Sequence, residues 1–106
     1  MSGTLNAKVA RRLGVRRFDV AEYLNSEADI AAYLEAVLAE DDPRLLAAAL
    51  GEVARARGMT QLARETGLSR EALYRALSSE GNPELATVTK VLRALGLRLS
   101  IQPAIA

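Results

Sequence analysis

The chain has no cysteine and no histidine. The first absence excludes a disulfide framework, thiolate metal sites and any cysteine nucleophile. The second removes imidazole ligands and the Ser-His-Asp triad. Most hydrolytic and redox chemistry goes with them. Aromatic residues are scarce too, with three tyrosines and one phenylalanine in 106 residues, and there are only three prolines and seven glycines. No apolar run approaches the roughly 20 residues that span a bilayer. Near the N-terminus Lys8, Arg11 and Arg12 are followed by Arg16, Arg17, Asp19 and Glu22 before an apolar signal core could form. A soluble, cytoplasmic protein with no membrane contact is expected.

What is present is alanine and leucine, 20 and 17 residues respectively, a mixture that favours helices over a large sheet. Length and composition predict one small all-α domain. The net charge of +1 hides a strong segregation. Residues 1–18 carry five bases and no acid. Residues 19–52 carry nine acids against Arg44, a net −8, and residues 53–106 return to +4. Such polarity suits two partners, a polyanion met by the basic parts and a cationic body met by the acidic middle. Blocks of charge are equally what an ordinary solvated surface carries.

The opening lacks an apolar face, and residues 1–17 read as a flexible basic arm ahead of a domain spanning 18–106. Ser26 with Asp29 resembles a capping box, and Ile30, Tyr33, Leu34, Val37 and Leu38 follow at helical spacing, predicting a helix over Ser26 to Glu40. Asp42 is the expected N-cap of a second helix, Pro43 to Arg57, with Leu46, Ala49, Leu50 and Val53 inward and Gly58 closing it. A short segment from Met59 to Thr66 ends at Gly67. Ser69 then caps a helix predicted over Arg70 to Ser78, with Leu73, Ala76 and Leu77 inside. Asn82 is expected to cap a last helix that begins at Pro83 and buries Leu85, Val88, Val91, Leu92 and Leu95. Leu97 to Gln102 alternates apolar and polar residues ahead of Pro103, the pattern of a half-buried strand. A lone strand needs a ladder partner, and a second copy of the chain is the expected one, with Leu97, Leu99 and Ile101 as dimerisation residues.

Two short helices around Gly67, the second capped by Ser69, fit a helix-turn-helix. Within Ala63-Arg64-Glu65-Thr66-Gly67-Leu68-Ser69 a small residue allows close helix approach and a glycine supplies the turn conformation. This stretch, extended from Gly58 to Ser78, resembles the helix-turn-helix of the Cro and lambda-repressor superfamily. More narrowly it resembles the HigA-like addiction-module antidote proteins, antitoxins encoded beside small ribonuclease-like toxins. The similarity takes in Phe18-Asp19-Val20-Ala21-Glu22-Tyr23-Leu24 and Asn82-Pro83-Glu84-Leu85-Ala86-Thr87-Val88, and covers roughly residues 16 to 103. The usual start of the first helix is shortened here to Thr60-Gln61-Leu62-Ala63. The resemblance implies a five-helix lambda-repressor-like domain with a short C-terminal β-strand and the helix-turn-helix at about 59–78. It implies an antitoxin of a type II module that represses its own operon through double-stranded operator DNA and holds a HigB/RelE-like toxin in an inactive complex.

With Leu73, Ala76 and Leu77 inside, Arg70, Glu71, Tyr74, Arg75 and Ser78 fall on the outside of the second helix. A helix of this width fits the major groove, where arginine reads guanine and glutamate accepts from cytosine. Thr60, Gln61, Ser69, Asn82 and Thr87 sit near helix starts or loops, where hydroxyls and amides meet phosphates. The competing account of Arg70, Glu71 and Arg75 is a solvated helix face with one ion pair. Tyr74 weighs against it, because an outward aromatic usually has a surface to cover. The acids Glu40, Asp41 and Asp42 could be taken for a metal site, but adjacent acids at a helix start are better explained by capping and by the helix dipole. No catalysis, metal or cofactor is expected. The alternatives to an antitoxin are a free-standing repressor without a toxin and an interaction module that does not bind DNA.

Overall fold

The computed structural model describes residues 24–104. The expected basic arm, its boundary at residue 17 and the matching segment from Phe18 to Tyr23 lie outside the described residues. Within them five helices follow one another: α1 Glu27–Leu38, α2 Pro43–Arg57, α3 Met59–Thr66, α4 Arg70–Ala76 and α5 Leu85–Ala94. The protein is mostly helical, and no strand occurs among the described residues.

Caps set most of these boundaries. The Asp29 amide donates to Ser26 Oγ at 3.1 Å, and the Arg44 amide to Asp42 Oδ1 at 3.0 Å. Each side chain thus satisfies a first-turn N–H that has no partner inside its helix. Pro43 occupies the first turn of α2, where a missing N–H costs nothing. Acids without bases fill the first turn of α1, and Arg55 and Arg57 the last turn of α2, both in keeping with the helix dipole.

Helix α2 is the hub: it packs against α1, α3 and α4, while α5 packs against α3. The core comprises Ile30, Tyr33, Leu34 and Val37 of α1, Ala49, Leu50, Val53 and Ala54 of α2, then Met59, Leu62, Leu73, Leu77, Val91, Leu92 and Leu95. No polar or charged residue is buried outright among the described residues.

The tyrosine in this core keeps its hydroxyl satisfied. Tyr33 is fully buried, and its hydroxyl donates to Glu52 Oε1 on α2, a residue that is itself only half-buried. Burial chiefly, then the hydrogen bond and negative charge of Glu52, push the phenol far above its ordinary range. The bond ties α1 to α2 through a charged acceptor, a stronger kind than a neutral pair.

Gly51 has a different role. Glycine inside a helix costs about 1 kcal/mol relative to alanine, yet this one sits buried in the middle of α2. A Cβ built there would lie 2.1 Å from the carbonyl oxygen of Leu77, just after α4. The absent side chain lets α2 and the end of α4 touch.

Several expectations need correction. Helix α5 begins at Leu85 with Glu84 as N-cap, and no side chain caps it, so neither Asn82 nor Pro83 opens the helix. Gly81 lies against the carbonyls of Ala76 and Arg75, with a built Cβ at 2.2 and 2.6 Å. The chain is therefore held on the end of α4 and runs without helix over residues 81–84 before α5 starts. Starting later, α5 leaves Leu85 69% exposed rather than buried. Leu38, expected on the inner face of α1, is 51% exposed, whereas Val37 beside it is fully buried, so the core lies to one side of Leu38. Helices α1 and α4 each end two residues earlier than expected, at Leu38 and Ala76. Leu97 to Gln102 carries no ladder: Leu97 packs on the core, but Leu99 is 50% and Ile101 99% exposed. Nothing else in the described chain lies alongside to pair it as a sheet.

Two outcomes test this packing. Gly51→Ala should lower stability by about 1–3 kcal/mol despite alanine's better helix propensity, because the close approach must open; thermal melts check it. Tyr33→Phe should cost about 1.5–3 kcal/mol at neutral pH, since a bond to a charged acceptor is lost. The pH dependence is also specified. Tyr33 keeps its proton in the folded state beyond the pH at which an unfolded tyrosine releases it, near 10. Its contribution is complete below pH 10 and fades above, by up to about 1.4 kcal/mol per pH unit. Denaturant midpoints between pH 8 and 11 should therefore fall more steeply for the wild type than for Tyr33→Phe.

Candidate nucleic-acid interface

Helices as short as α3 and α4 are marginal in water by themselves, so caps and packing hold them. Helix α3 begins directly after Gly58, with no side-chain cap, and is anchored by buried Met59 and Leu62. Its far end is stitched by Thr66, whose Oγ1 donates to the Leu62 carbonyl at 2.7 Å and accepts from the Leu68 amide at 3.3 Å. Gly67 then turns the chain with φ of 76°, a left-handed conformation that a Cβ would strain, while its N–H bonds the Ala63 carbonyl at 3.0 Å. The Ala72 amide donates to Ser69 Oγ at 3.0 Å, and fully buried Leu73 pins α4 to the core.

That anchoring turns Arg70, Glu71, Tyr74 and Arg75 outward together, all exposed. Tyr74 is 42% exposed and carries the Arg70 guanidinium over its ring, 5.9 Å from the centroid. This is near the outer limit of a cation–π contact and steadies Arg70 without removing its donors from solvent. Ser78 Oγ bonds back to the Arg75 carbonyl at 3.1 Å. Arg55, Arg57 and Arg64 are exposed as well; Arg55 lines a hollow with Asp42, Glu52 and Glu80, and Arg57 a groove beside Ala94 and Leu95.

The other candidate residues do not all join this face. Ser69 Oγ already accepts the capping bond, and its hydroxyl proton remains to be donated to another partner. Thr60 is exposed in the first turn of α3. Gln61 donates to Glu65 Oε2 at 3.1 Å and lines a shallow groove with Arg57, Ala94 and Leu95; no residue of α4 borders it. Met59, the first residue of α3, is buried. Asn82 lies in a hollow beside Pro43, Arg44 and Ser79 near the start of α2, and Thr87 is half-buried in the first turn of α5. Among the described residues no group of acids could hold a metal, and no helix is long and apolar enough to cross a membrane.

A family model described as "probable addiction module antidote protein" matches residues 14–103. The chain belongs to the addiction module antidote family. A protein of Haemophilus influenzae strain Rd, named only as uncharacterized, is 53% identical over 88 residues, which cover 83% of this chain and 91% of the relative. No solved structure matches. Membership in the antidote family implies a cognate toxin as partner, and points to a regulatory rather than an enzymatic protein.

If the turn is held as described, Ser69→Ala should destabilise this antidote by about 0.5–2 kcal/mol through loss of the α4 cap. Thermal unfolding measures it, and an unchanged melting temperature would mean that packing of Leu73 alone suffices.

Proposed function

We propose that this chain is the antitoxin of a type II toxin–antitoxin pair that binds a ribonuclease-like, HigB/RelE-like toxin directly and represses its own operon. In this reading α3 and α4 form a Cro-type helix-turn-helix, and α4 enters the major groove. The observation that carries it is the outward cluster Arg70, Glu71, Tyr74 and Arg75 on a capped, core-anchored helix in a member of an antidote family.

Arg70 and Arg75 then read bases or phosphates, Glu71 accepts from cytosine, and Tyr74 covers apolar base edges while orienting Arg70. Thr60 and Ser69 meet phosphates beside the groove. Gln61, in a groove that α4 does not border, and Asn82 and Thr87, beyond the end of α4, would meet only backbone flanking the site. Since the excess positive charge is modest, affinity depends on two half-sites. Leu97 to Gln102 would pair across a two-fold axis, with Leu97, Leu99 and Ile101 forming the apolar seam of a homodimer. The two α4 helices would then lie in successive major grooves about 34 Å apart.

Titrating the chain against its own upstream DNA at two salt concentrations tests the first half. Binding that weakens with salt is expected, and Arg70→Ala should cost about 1–3 kcal/mol on the cognate sequence. Absent or salt-independent binding rejects it. The dimer is tested by Leu99→Asp with Ile101→Asp, two exposed positions: sedimentation should report a monomer with weakened operator affinity. Growth of cells making the neighbouring gene product, with and without this chain, tests the antitoxin role. A neighbour that is harmless alone leaves a free-standing repressor as the better account.

A further inference from the structure

Beyond α5 the apolar residues of the chain find progressively less to pack on. Leu97 lies against the core, Leu99 is 50% exposed, and Ile101 is 99% exposed. The apolar row thus outruns the body that carries it, and its last member has no cover within the protomer. Beside this row lies the opposite deficit. A groove of about 320 Å³ is bounded by Leu34 and Leu38 of α1, Leu92 of α5, and Leu97 and Leu99 themselves. Leu38, at 51% exposure, is left uncovered there. An exposed apolar side chain next to a groove lined by leucines is what an interaction surface presents.

The charges at the groove narrow the choice of occupant. Glu35 and Arg98 both line it, and both are exposed. One acid and one base favour neither a purely cationic nor a purely anionic partner. They suit a partner that carries the same pair in reverse order. In a two-fold contact residue i of one copy meets residue j of the other and j meets i, so a patch holding both signs is complementary to itself. A second copy of this chain supplies both the reversed pair and the orphaned isoleucine.

We propose that the groove is filled by a second copy of this chain. Ile101 of each copy enters the groove of the other beside Leu38, and Glu35 of each copy pairs with Arg98 of the other. The proposal rests on the homodimer reading for the existence of the contact, and it adds α1 as the receiving surface. The two are geometrically compatible. In an antiparallel pair centred on Leu99, residues two places either side of the axis stand opposite each other, so Ile101 of one copy faces Leu97 of the other. Leu97 borders the groove, and an isoleucine beside it reaches the uncovered leucines.

Sedimentation and native mass spectrometry of the full-length chain, without DNA, test this with Leu38→Glu, Glu35→Lys and Arg98→Glu. All three residues are exposed, so folding should persist, and thermal melts check it. Leu38→Glu lies outside the C-terminal segment and should raise the dimer Kd about tenfold to a hundredfold, since two leucines lose their cover. Glu35→Lys and Arg98→Glu should each weaken their own dimer about threefold to tenfold, most at low salt. Mixed in equal amounts, these two charge variants should form the mixed dimer about tenfold in preference to either homodimer, because only that pairing sets Lys opposite Glu and Arg opposite Glu at the two contacts. A dimer undisturbed by Leu38→Glu, or statistical mixing of the charge variants, overturns the proposal, and the seam of Leu97, Leu99 and Ile101 then stands without α1. Should Leu38→Glu unfold, the mixing decides. If Leu38→Glu leaves the dimer intact but abolishes binding of the adjoining gene's product, the toxin is the occupant and the proposal is overturned. A wild type that sediments as a monomer even at high micromolar concentration rejects the homodimer reading itself.

Discussion

The contact between Gly51 and the carbonyl of Leu77 sets the distance between the central helix and the end of α4. Everything outward of that contact follows from it. With α2 drawn against the residue after α4, Leu73 and Leu77 reach full burial, and their burial rotates Arg70, Glu71, Tyr74 and Arg75 to the opposite side. A helix of seven residues has too few hydrogen bonds to hold an orientation by itself. Its precision is borrowed from α2, which α1 in turn braces through Tyr33 and Glu52.

The charge blocks of the sequence do not become separate poles in the fold. Helices α1 and α2 pack side by side, Asp42, Glu52 and Glu80 line one hollow with Arg44 and Arg55, and Glu65 lines another with Arg57. Opposite charges brought this close offset one another, so segregation along the chain is not segregation in space.

Much of the fold was legible because caps and helical periodicity are local. Ser26, Asp42, Gly58, Gly67 and Ser69 each act within four residues, and the structure places every one of them at a helix end. The apolar spacing likewise picked out Ile30, Tyr33, Leu50, Val53, Leu73, Val91 and Leu92, all buried, by virtue of which side of a helix they share. The start of α5 was not legible: Asn82-Pro83 is a good local start signal, but Gly81 is pinned against the end of α4 and the chain must travel further before it can coil.

Local sequence was enough for the helical class, the order of the helices, the turn at Gly67 and the inward and outward sides of α4, because these depend on chirality, hydrogen-bond geometry and burial within a few residues. Packing between distant segments was needed to show that Gln61 lies beside Arg57 and Leu95 rather than joining α4, and that Leu38 and Leu85 stand in solvent. It was needed equally to show that the segment after Leu97 has no strand to pair with inside the described chain. Those outcomes depend on which surfaces remain uncovered once α2, α3 and α5 have packed. Periodicity specifies the side of a helix that is apolar, while coverage depends on the distance to a neighbour that is remote in sequence.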